Sequence, residues 1–270
     1  MAASARAPEQ LFDTRLRARA RGRRPVADAD FLLRHAADEL SAREALLGDV
    51  PAGPQLAIGG CGLVPGTAAD LHPRRLPAAG PRLLCAEDRL PFADGSLAVI
   101  RSVLSLHGVN DLPGALLLAR RALVPGGRYL AVFAAGIALP QVRAAFLAAD
   151  MAAGGVAARV GPTVDPAQGA ALLQRAGFVE PVAEVVPVAA RYPSLAALAQ
   201  DLRAMGETGW LAARSRVPMT RSRWQEAEAA FAAGADADGK VRVEAELLFL
   251  SARAPGAPAR PDAGAPAPGG

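Results

Sequence analysis

The chain has 270 residues, of which 51% are hydrophobic and 21% are charged, a balance that allows a large buried core and excludes a chain disordered throughout. Its two cysteines, Cys61 and Cys85, are too few for a disulfide framework or a thiolate zinc site, so we expect no metal. No apolar run reaches the ~18 residues that a membrane-spanning helix needs, and the first residues lack the apolar centre of a secretory signal. A cytoplasmic globular protein is therefore predicted.

The formal net charge of +4 comes from 30 basic and 26 acidic residues, and Lys240 is the one lysine. Abundant alanine, arginine, glycine and proline indicate the codon bias of a GC-rich genome, so this charge does not predict a nucleic-acid partner. A dense arginine cluster stands in a basic N-terminal arm assigned to residues 1–27, and consists of Arg15, Arg17, Arg19, Arg21, Arg23 and Arg24. A solvated helix or arm is the simpler interpretation, and a site for an anionic partner is the alternative.

From residue 28, segments with helical and strand-like patterns alternate. DFLLRHAADELSAREALL, with Asp28 or Asp30 as cap, predicts an amphipathic helix. QLAIGGCG, PRLLCAED and SLAVIRSVL predict buried strands, the first running into a glycine-rich turn. DLPGALLLARRALVPGG has both helix ends marked, by an aspartate cap and by a Pro-Gly-Gly stop, and RYLAVFA follows it as a strand.

The second half continues in the same way. Helices are predicted in LPQVRAAFLAADMA, AQGAALLQRAG, SLAALAQDLRAMG and SRWQEAEAAFAAG. FVEPVAEVVPV predicts an edge strand because of Pro181 and Pro187, and DADGKVRVEAELLFLSA predicts a turn and a last strand. We expect one doubly wound α/β domain over residues 28–253 with a mostly parallel sheet, and helical additions after residue 138 that cover the carboxyl ends of the strands. Residues 254–270, rich in Pro, Gly and Ala, are expected to be a disordered tail.

In an open α/β sheet, ligands bind beyond the carboxyl ends of the strands, where glycines allow close approach to a nucleotide or adenosyl group. The first predicted strand is followed by Gly59, Gly60, Gly62 and Gly66. Asp70 stands where the next strand would end, and its carboxylate could accept both hydroxyls of a ribose. A tight turn explains the glycines equally well, and an aspartate in a surface loop is the alternative for Asp70.

His107 ends a later predicted strand beside the same edge of the sheet. Its ordinary pKa of about 6.5 would suit a general base. The alternative is a histidine whose ring packs and hydrogen-bonds to the backbone. Trp210 and Trp224 fall in the C-terminal helical segments and are expected to pack in the core or in a lid. The chain has no Ser-His-Asp order, paired carboxylates or P-loop lysine, which argues against hydrolase and NTPase chemistry.

Several segments of the sequence resemble those of a known protein family. LPFADGS, SLSLH, VNDLPGAL and PGGRYLA resemble class I S-adenosylmethionine-dependent methyltransferases, and in particular the bacterial relatives of the mitochondrial complex I assembly factor 5. LFDTRLRARARGRR, YPSLAALAQDLRAMGET and DADGKVRVEAELLFL match that branch in order, so the resemblance runs from about Leu11 to Ser251. It implies a Rossmann-like fold with a seven-stranded-type sheet and S-adenosylmethionine as cofactor. It also implies the cofactor-binding residues, which are Gly60 and Gly62 in the loop, Asp70 at the ribose, and Glu87 with Asp88 at the adenine.

The chain departs from the family in the cofactor loop. Ile58 stands at the usual acidic position and Val64 at the last glycine. Only seven residues separate Gly62 from Asp70, whereas a crossover between parallel strands takes about a dozen or more. The glycine motif is therefore eroded, and we expect the first crossover helix to be missing.

Two further departures lie near the same expected pocket. Ala86 stands where the branch usually has an aspartate, which leaves Glu87 and Asp88. Gly108 stands where an aromatic residue usually follows the Leu-His pair. These differences bear on cofactor binding more than on the fold.

The resemblance therefore supports more than one function. The first hypothesis is an S-adenosylmethionine-dependent methyltransferase acting on a protein substrate in respiratory complex I assembly, with a complex I subunit as partner. Arginine hydroxylation is an alternative, because the branch resembles a factor associated with that reaction on a complex I subunit. A cofactor-free protein of the same fold, serving as an assembly or binding factor through the region from Asp201 to Glu207, is the other.

Overall fold

The structure is a computed structural model and describes residues 10–23 and 30–256. Its strands are β1 Gln55–Ile58, β2 Thr67–Asp70, β3 Arg82–Leu84, β4 Leu97–Val103, β5 Leu123–Ala138, β6 Val179–Tyr192 and β7 Val241–Arg253. They form one seven-stranded sheet in the order β3-β2-β1-β4-β5-β7-β6. The neighbours among β1 to β5 pair in parallel, and β7 is antiparallel to both β5 and β6. This confirms the predicted mostly parallel α/β sheet, with β6 at its edge.

Helices cover both faces of the sheet. They are α1 Thr14–Arg21, α2 Phe31–Glu44, α3 Leu112–Ala122, α4 Pro140–Ala152, α5 Gly169–Arg175, α6 Leu195–Met205 and α7 Arg221–Ala232. Successive residues of the buried strand β4 point to opposite faces, so Val99 packs in the cluster under α2. Its neighbour Ile100 packs with Leu116 of α3 and Leu173 of α5. The sheet is therefore doubly wound, as the alternation of elements predicted.

The connection from β1 to β2 contains no helix. Residues 59–66 form turns and bends between two parallel strands, which confirms that the first crossover helix is missing. Val64 is the one buried side chain of residues 61–66 and packs in the cluster under α2. Gly66 has φ +126°, and a Cβ there would lie 3.0 Å from the backbone of Gln55. The loop therefore runs directly against β1, and α2 covers the face that a crossover helix would share.

Three of the helices after residue 138, namely α4, α6 and α7, form a separate layer, whereas α5 packs on the sheet beside α3. Val142 of α4, Leu195 of α6 and Phe231 of α7 share a buried cluster with Tyr192 and Val243. Within the described part of the chain, no helix is long and apolar enough to cross a membrane.

The two termini extend beyond the described ranges. Ala254 is still buried, and its N–H donates to Gly127 O at 2.9 Å. The rest of the predicted tail from residue 257, and residues 1–9 and 24–29 of the N-terminal region, lie outside the described residues.

Candidate functional site

A cavity of about 390 Å³ lies at the carboxyl ends of β1, β4 and β5. Gly59 after β1, Leu104 after β4 and Ala134 within β5 contribute to its wall. Phe146 of α4, Leu198 of α6 and Trp210 in the segment after α6 complete it. Polar groups also reach it, among them Arg21, His107 and Glu207. A mostly apolar cavity with a few polar groups at this edge of an α/β sheet is the usual form of a small-molecule site.

Helix α1 is fastened beside this cavity at both ends. At its start, Phe12 N donates to Asn110 Oδ1 at 2.9 Å, and Asn110 Nδ2 donates back to Phe12 O at 2.9 Å. The Phe12 ring meets Trp210 edge-on, with ring centroids 5.0 Å apart. At its end, Arg75 Nε donates to Arg21 O at 3.0 Å. α1 is therefore packed into the structure.

Arg21 enters the site from α1. Its Nη1 donates to Asp70 Oδ2 at 2.8 Å, its Nη2 donates to Leu104 O at 2.7 Å, and its Nη2 lies 3.8 Å from Glu207 Oε1. The side chains of Arg21 and Asp70 are 5% and 1% exposed. Burial alone would lower the pKa of Arg21, but the charges of Asp70 and Glu207 outweigh burial and raise it. The Arg21–Asp70 contact is thus a buried, hydrogen-bonded ion pair.

Arg17 lies one helical turn before Arg21 and is also buried. Its Nη1 donates to Gly108 O at 3.1 Å, its Nη2 donates to Ser105 O, and its Nη2 lies 3.8 Å from Glu87 Oε1. Burial lowers the pKa of Arg17, and the charge of Glu87 opposes that change. A Cβ at Gly108 would lie 2.5 Å from Arg17 Nε, so the glycine at this position leaves room for the guanidinium.

These contacts correct one interpretation of the arginine cluster. A solvated helix is wrong for Arg17 and Arg21, which share the buried face of α1. It holds for Arg15, Arg19 and Arg23, which are exposed. Arg24 lies outside the described residues.

The predicted loop glycines lie at different distances from the cavity. Gly59, which ends β1, lines it, whereas Gly60 and Gly62 do not. Gly59 has φ +80°, and a Cβ there would lie 2.4 Å from Val103 O, so only glycine fits. A Cβ added at Gly60 would make ordinary contacts at 3.4 Å. Gly62 is exposed, and a Cβ added there would lie 3.1 Å from the side chain of Pro77. Gly59 was among the glycines noted in the sequence, but spacing alone did not distinguish it from the others.

The predicted acids sit at adjacent strand ends. Asp70 is the last residue of β2, and Glu87 follows β3 and is 3% exposed. Neither carboxylate oxygen of Glu87 has a hydrogen-bond partner among the described residues. Asp88 is half-buried and, within the same ranges, makes no hydrogen bond or ion pair. The structure therefore sets each of these two acids against an arginine of α1, and neither acid lines the cavity.

His107 bonds to a carboxylate and not to the backbone. Its Nε2 lies 2.8 Å from Glu207 Oε2, and its Nδ1 is buried without a hydrogen-bond partner among the described residues. Burial would raise the pKa of Glu207, but His107 above all, then Arg21 and Arg17, outweigh burial and lower it to about 2. Glu207 was expected on a partner surface. The structure places its side chain in the cavity wall.

These residues can be compared with what an adenosyl group requires. Asp70 can accept hydrogen bonds from adjacent hydroxyls, Glu87 has two unsatisfied oxygens that can accept from an amine, and Gly59 brings bare backbone to the cavity. These hydrogen-bond acceptors and the bare backbone of Gly59 therefore fit an adenosyl group. The guanidiniums of Arg21 and Arg17 face the same two carboxylates, so an adenosyl ligand and α1 would compete for them.

The chain is similar in sequence to several known proteins. No family model matches the chain. It is 32% identical over 185 residues to malonyl-(acyl-carrier protein) O-methyltransferase of Laribacter hongkongensis, which covers 68% of the chain and 60% of that protein. It is 31% identical over 127 residues to the mitochondrial arginine-hydroxylase NDUFAF5 of Danio rerio, covering 47% of the chain and 40% of that protein. The chain thus spans 60% or less of the length of these relatives.

One solved structure shares the fold. The crystal structure of the YcgJ protein from Bacillus subtilis aligns with a TM-score of 0.52 at 12% identity, and the alignment covers 82% of this chain and 99% of that one. At this identity the likeness shows the fold alone.

Proposed function

We propose that this chain, which belongs to the class I S-adenosylmethionine-dependent methyltransferase superfamily, binds S-adenosylmethionine at the ends of β1, β2 and β3 and transfers its methyl group. The observation that carries the proposal is the placement of Gly59, Asp70 and Glu87 after three neighbouring strands, where Gly59 lines the 390 Å³ cavity and Asp70 is held by Arg21, which also lines it. The cofactor would supply a methyl group already activated by its sulfonium charge. The protein's own task is then to align that methyl group with the accepting atom of the substrate and to exclude water.

The residues of the site have distinct parts in this proposal. Asp70 would accept the ribose hydroxyls, and Glu87 would accept from the adenine amine. Phe146, Leu198 and the other apolar residues of the helical layer keep water from the cavity.

His107 is the candidate proton acceptor. In the tautomer that donates from Nε2 to Glu207, the buried Nδ1 is the nitrogen left to accept a proton. Glu207 would hold the ring in that orientation.

A protein substrate in respiratory complex I assembly is the proposed target. The support is the sequence similarity to proteins named arginine-hydroxylase NDUFAF5 and the branch-specific block that contains Glu207. The similarity to proteins named malonyl-(acyl-carrier protein) O-methyltransferase favours methyl transfer over hydroxylation, because that match covers more of the chain.

A cofactor-free assembly factor is the second candidate, and one observation favours it. Arg21 already satisfies Asp70 in a buried pair, and Arg17 lies 3.8 Å from Glu87, so each buried carboxylate faces a cation without a ligand. In this alternative α1 would remain docked permanently, and the fold would serve as a binding scaffold.

Calorimetric titration with S-adenosylmethionine and S-adenosylhomocysteine separates the two candidates. For an enzyme, Asp70→Ala should weaken binding by about 1.5 to 3 kcal/mol, since it removes hydrogen bonds to a charged group. Arg21→Met should tighten binding at least tenfold, because it removes the competing guanidinium. Arg121→Met, which alters an exposed pair with Asp94, is the control and should change nothing.

The same titrations can also contradict the enzyme proposal. If neither ligand binds any of these variants at millimolar concentration, while the full chain still captures a complex I subunit, the enzyme proposal is wrong and the cofactor-free alternative stands.

A further inference from the structure

A basic groove of about 590 Å³ lies on the side of α1 that faces away from the buried ion pairs. It is lined by Leu16, Arg19, Ala20, Gly22, Arg23, His72, Arg74, Thr208 and Gly209. Three of these residues are arginines, one is a histidine, and none is acidic. The groove is therefore a concentrated positive surface on a chain whose net charge is only +4.

The charges in the basic groove are not compensated by the described part of the protein. Arg23 donates to Thr208 Oγ1 at 2.7 Å and Arg74 donates to Gly22 O at 3.0 Å, and both acceptors are uncharged. Arg19 is exposed and makes no ion pair within the described ranges. Many surface arginines elsewhere do pair with acids, as Arg43 does with Glu184 at 2.8 Å.

A row of arginines runs along the exposed face of α1 and into the basic groove. Arg15 does not line the groove, Arg19 follows four residues later within it, and Arg23 stands in it just beyond the end of the helix. At a rise of 1.5 Å per residue, the row is about 12 Å long. Arg17 and Arg21 fix the opposite face of the helix, so the row is held in place before any partner binds.

The length and composition of the row select the partner. A single phosphate would meet only part of a 12 Å row. His72 carries the one aromatic ring among the residues that line the groove, and a single ring is not the series on which successive nucleic-acid bases stack. An extended chain of carboxylates has the length and charge that the row requires.

We propose that the basic groove binds an acidic segment of a partner protein. Thr208 and Gly209 form a wall of both the groove and the cavity, so a segment seated in the groove would place neighbouring residues of the partner at the mouth of the cavity. This docking surface goes beyond the proposed methyl transfer and does not depend on a cofactor.

Fluorescence anisotropy with a fluorescein-labelled decaglutamate peptide tests the proposal on the full chain. The variant Arg19→Glu/Arg23→Glu should weaken binding at least tenfold, and Arg19→Lys/Arg23→Lys should stay within threefold of the original chain. The matched control is Arg175→Glu/Arg221→Glu, which makes the same charge change at two exposed arginines outside the groove and should stay within twofold.

Three results would overturn the proposal. The first is an equal loss of binding in the control, which would indicate attraction to net charge alone. The second is equally tight binding of a ten-nucleotide oligothymidylate, which would indicate a general polyanion or nucleic-acid surface. The third is no binding of decaglutamate at low ionic strength, where electrostatic attraction is strongest.

Discussion

Replacing Arg21 by methionine tests how firmly α1 closes the site. Arg21 donates to Asp70 Oδ2 at 2.8 Å and to Leu104 O at 2.7 Å. Without the guanidinium, the Asp70 carboxylate stays buried and keeps one weak bond, from His72 N at 3.3 Å. Leaving one member of a buried ion pair without its partner costs about 3 to 5 kcal/mol. We expect Arg21→Met to lower the free energy of unfolding by that amount.

Urea unfolding of a double-mutant cycle isolates the pair from other effects of the substitution. Asp70→Asn should also destabilise, and Arg21→Met/Asp70→Asn should lose less than the two single losses together, with a coupling of about 2 to 3 kcal/mol. Arg121→Met is the control, since its pair with Asp94 is exposed and should be worth less than about 1 kcal/mol.

Ligand should restore part of what Arg21→Met loses. A ligand at 100 times its Kd adds about 2.7 kcal/mol to the stability of the form it binds. We therefore expect S-adenosylhomocysteine to raise the melting temperature of Arg21→Met more than that of the original chain. A loss below about 1 kcal/mol without ligand, or a coupling near zero, would refute the reasoning, because the contact would then be only a surface-type pair.

Three further predictions concern the site and the tail. Gly59→Ala should destabilise by about 2 to 3 kcal/mol, because its φ is +80° and the new Cβ would meet Val103 O, and thermal melting checks this. The pKa of Glu207 is lowered to about 2, so its roughly 3 kcal/mol of stabilisation should be present above pH 4.5 and lost as the pH falls to 2. Urea midpoints across that range should show the loss, and Glu207→Gln should flatten it. Deleting residues 257–270, which are rich in Pro, Gly and Ala, should leave the melting temperature unchanged.

The fold could be predicted because its signals are local. Asp111 caps α3 by accepting from Gly114 N at 2.8 Å, and the predicted stop at Pro125 follows the helix end closely. The missing crossover helix was also predictable, since the length of chain between Gly62 and Asp70 is a geometric limit that no packing can change.

The site was only partly predictable, because its contacts join residues far apart in the chain. Arg21 and Asp70 are separated by 49 positions, and His107 and Glu207 by 100. Predicting a helix over the arginine cluster places Arg17 and Arg21 one turn apart on the same face. It does not show which face of α1 is buried, because every second residue there is arginine. Glu207 carried one sequence signal, its place in a branch-specific block.

Arg21 takes the place of the hydrogen-bond donors that a crossover helix between β1 and β2 would offer to Asp70. Asp70 is 2% exposed, and a buried carboxylate needs a cation or several hydrogen bonds. No helix begins after β1 that could present its backbone N–H groups there, and Arg21 supplies the missing donors.

This compensation changes what a binding experiment measures. Suppose that the ligand binds only when Arg21 has left Asp70. The apparent Kd then exceeds the intrinsic Kd by the inverse of the population of that open state, so a site open about 1% of the time binds about a hundredfold more weakly. Weak binding by the original chain would therefore not show that the eroded glycine loop has lost the cofactor. Arg21→Met removes the guanidinium that competes for Asp70 and leaves Gly59, Asp70 and Glu87 in place, so its affinity reports on a site in which only Arg17 still competes, for Glu87.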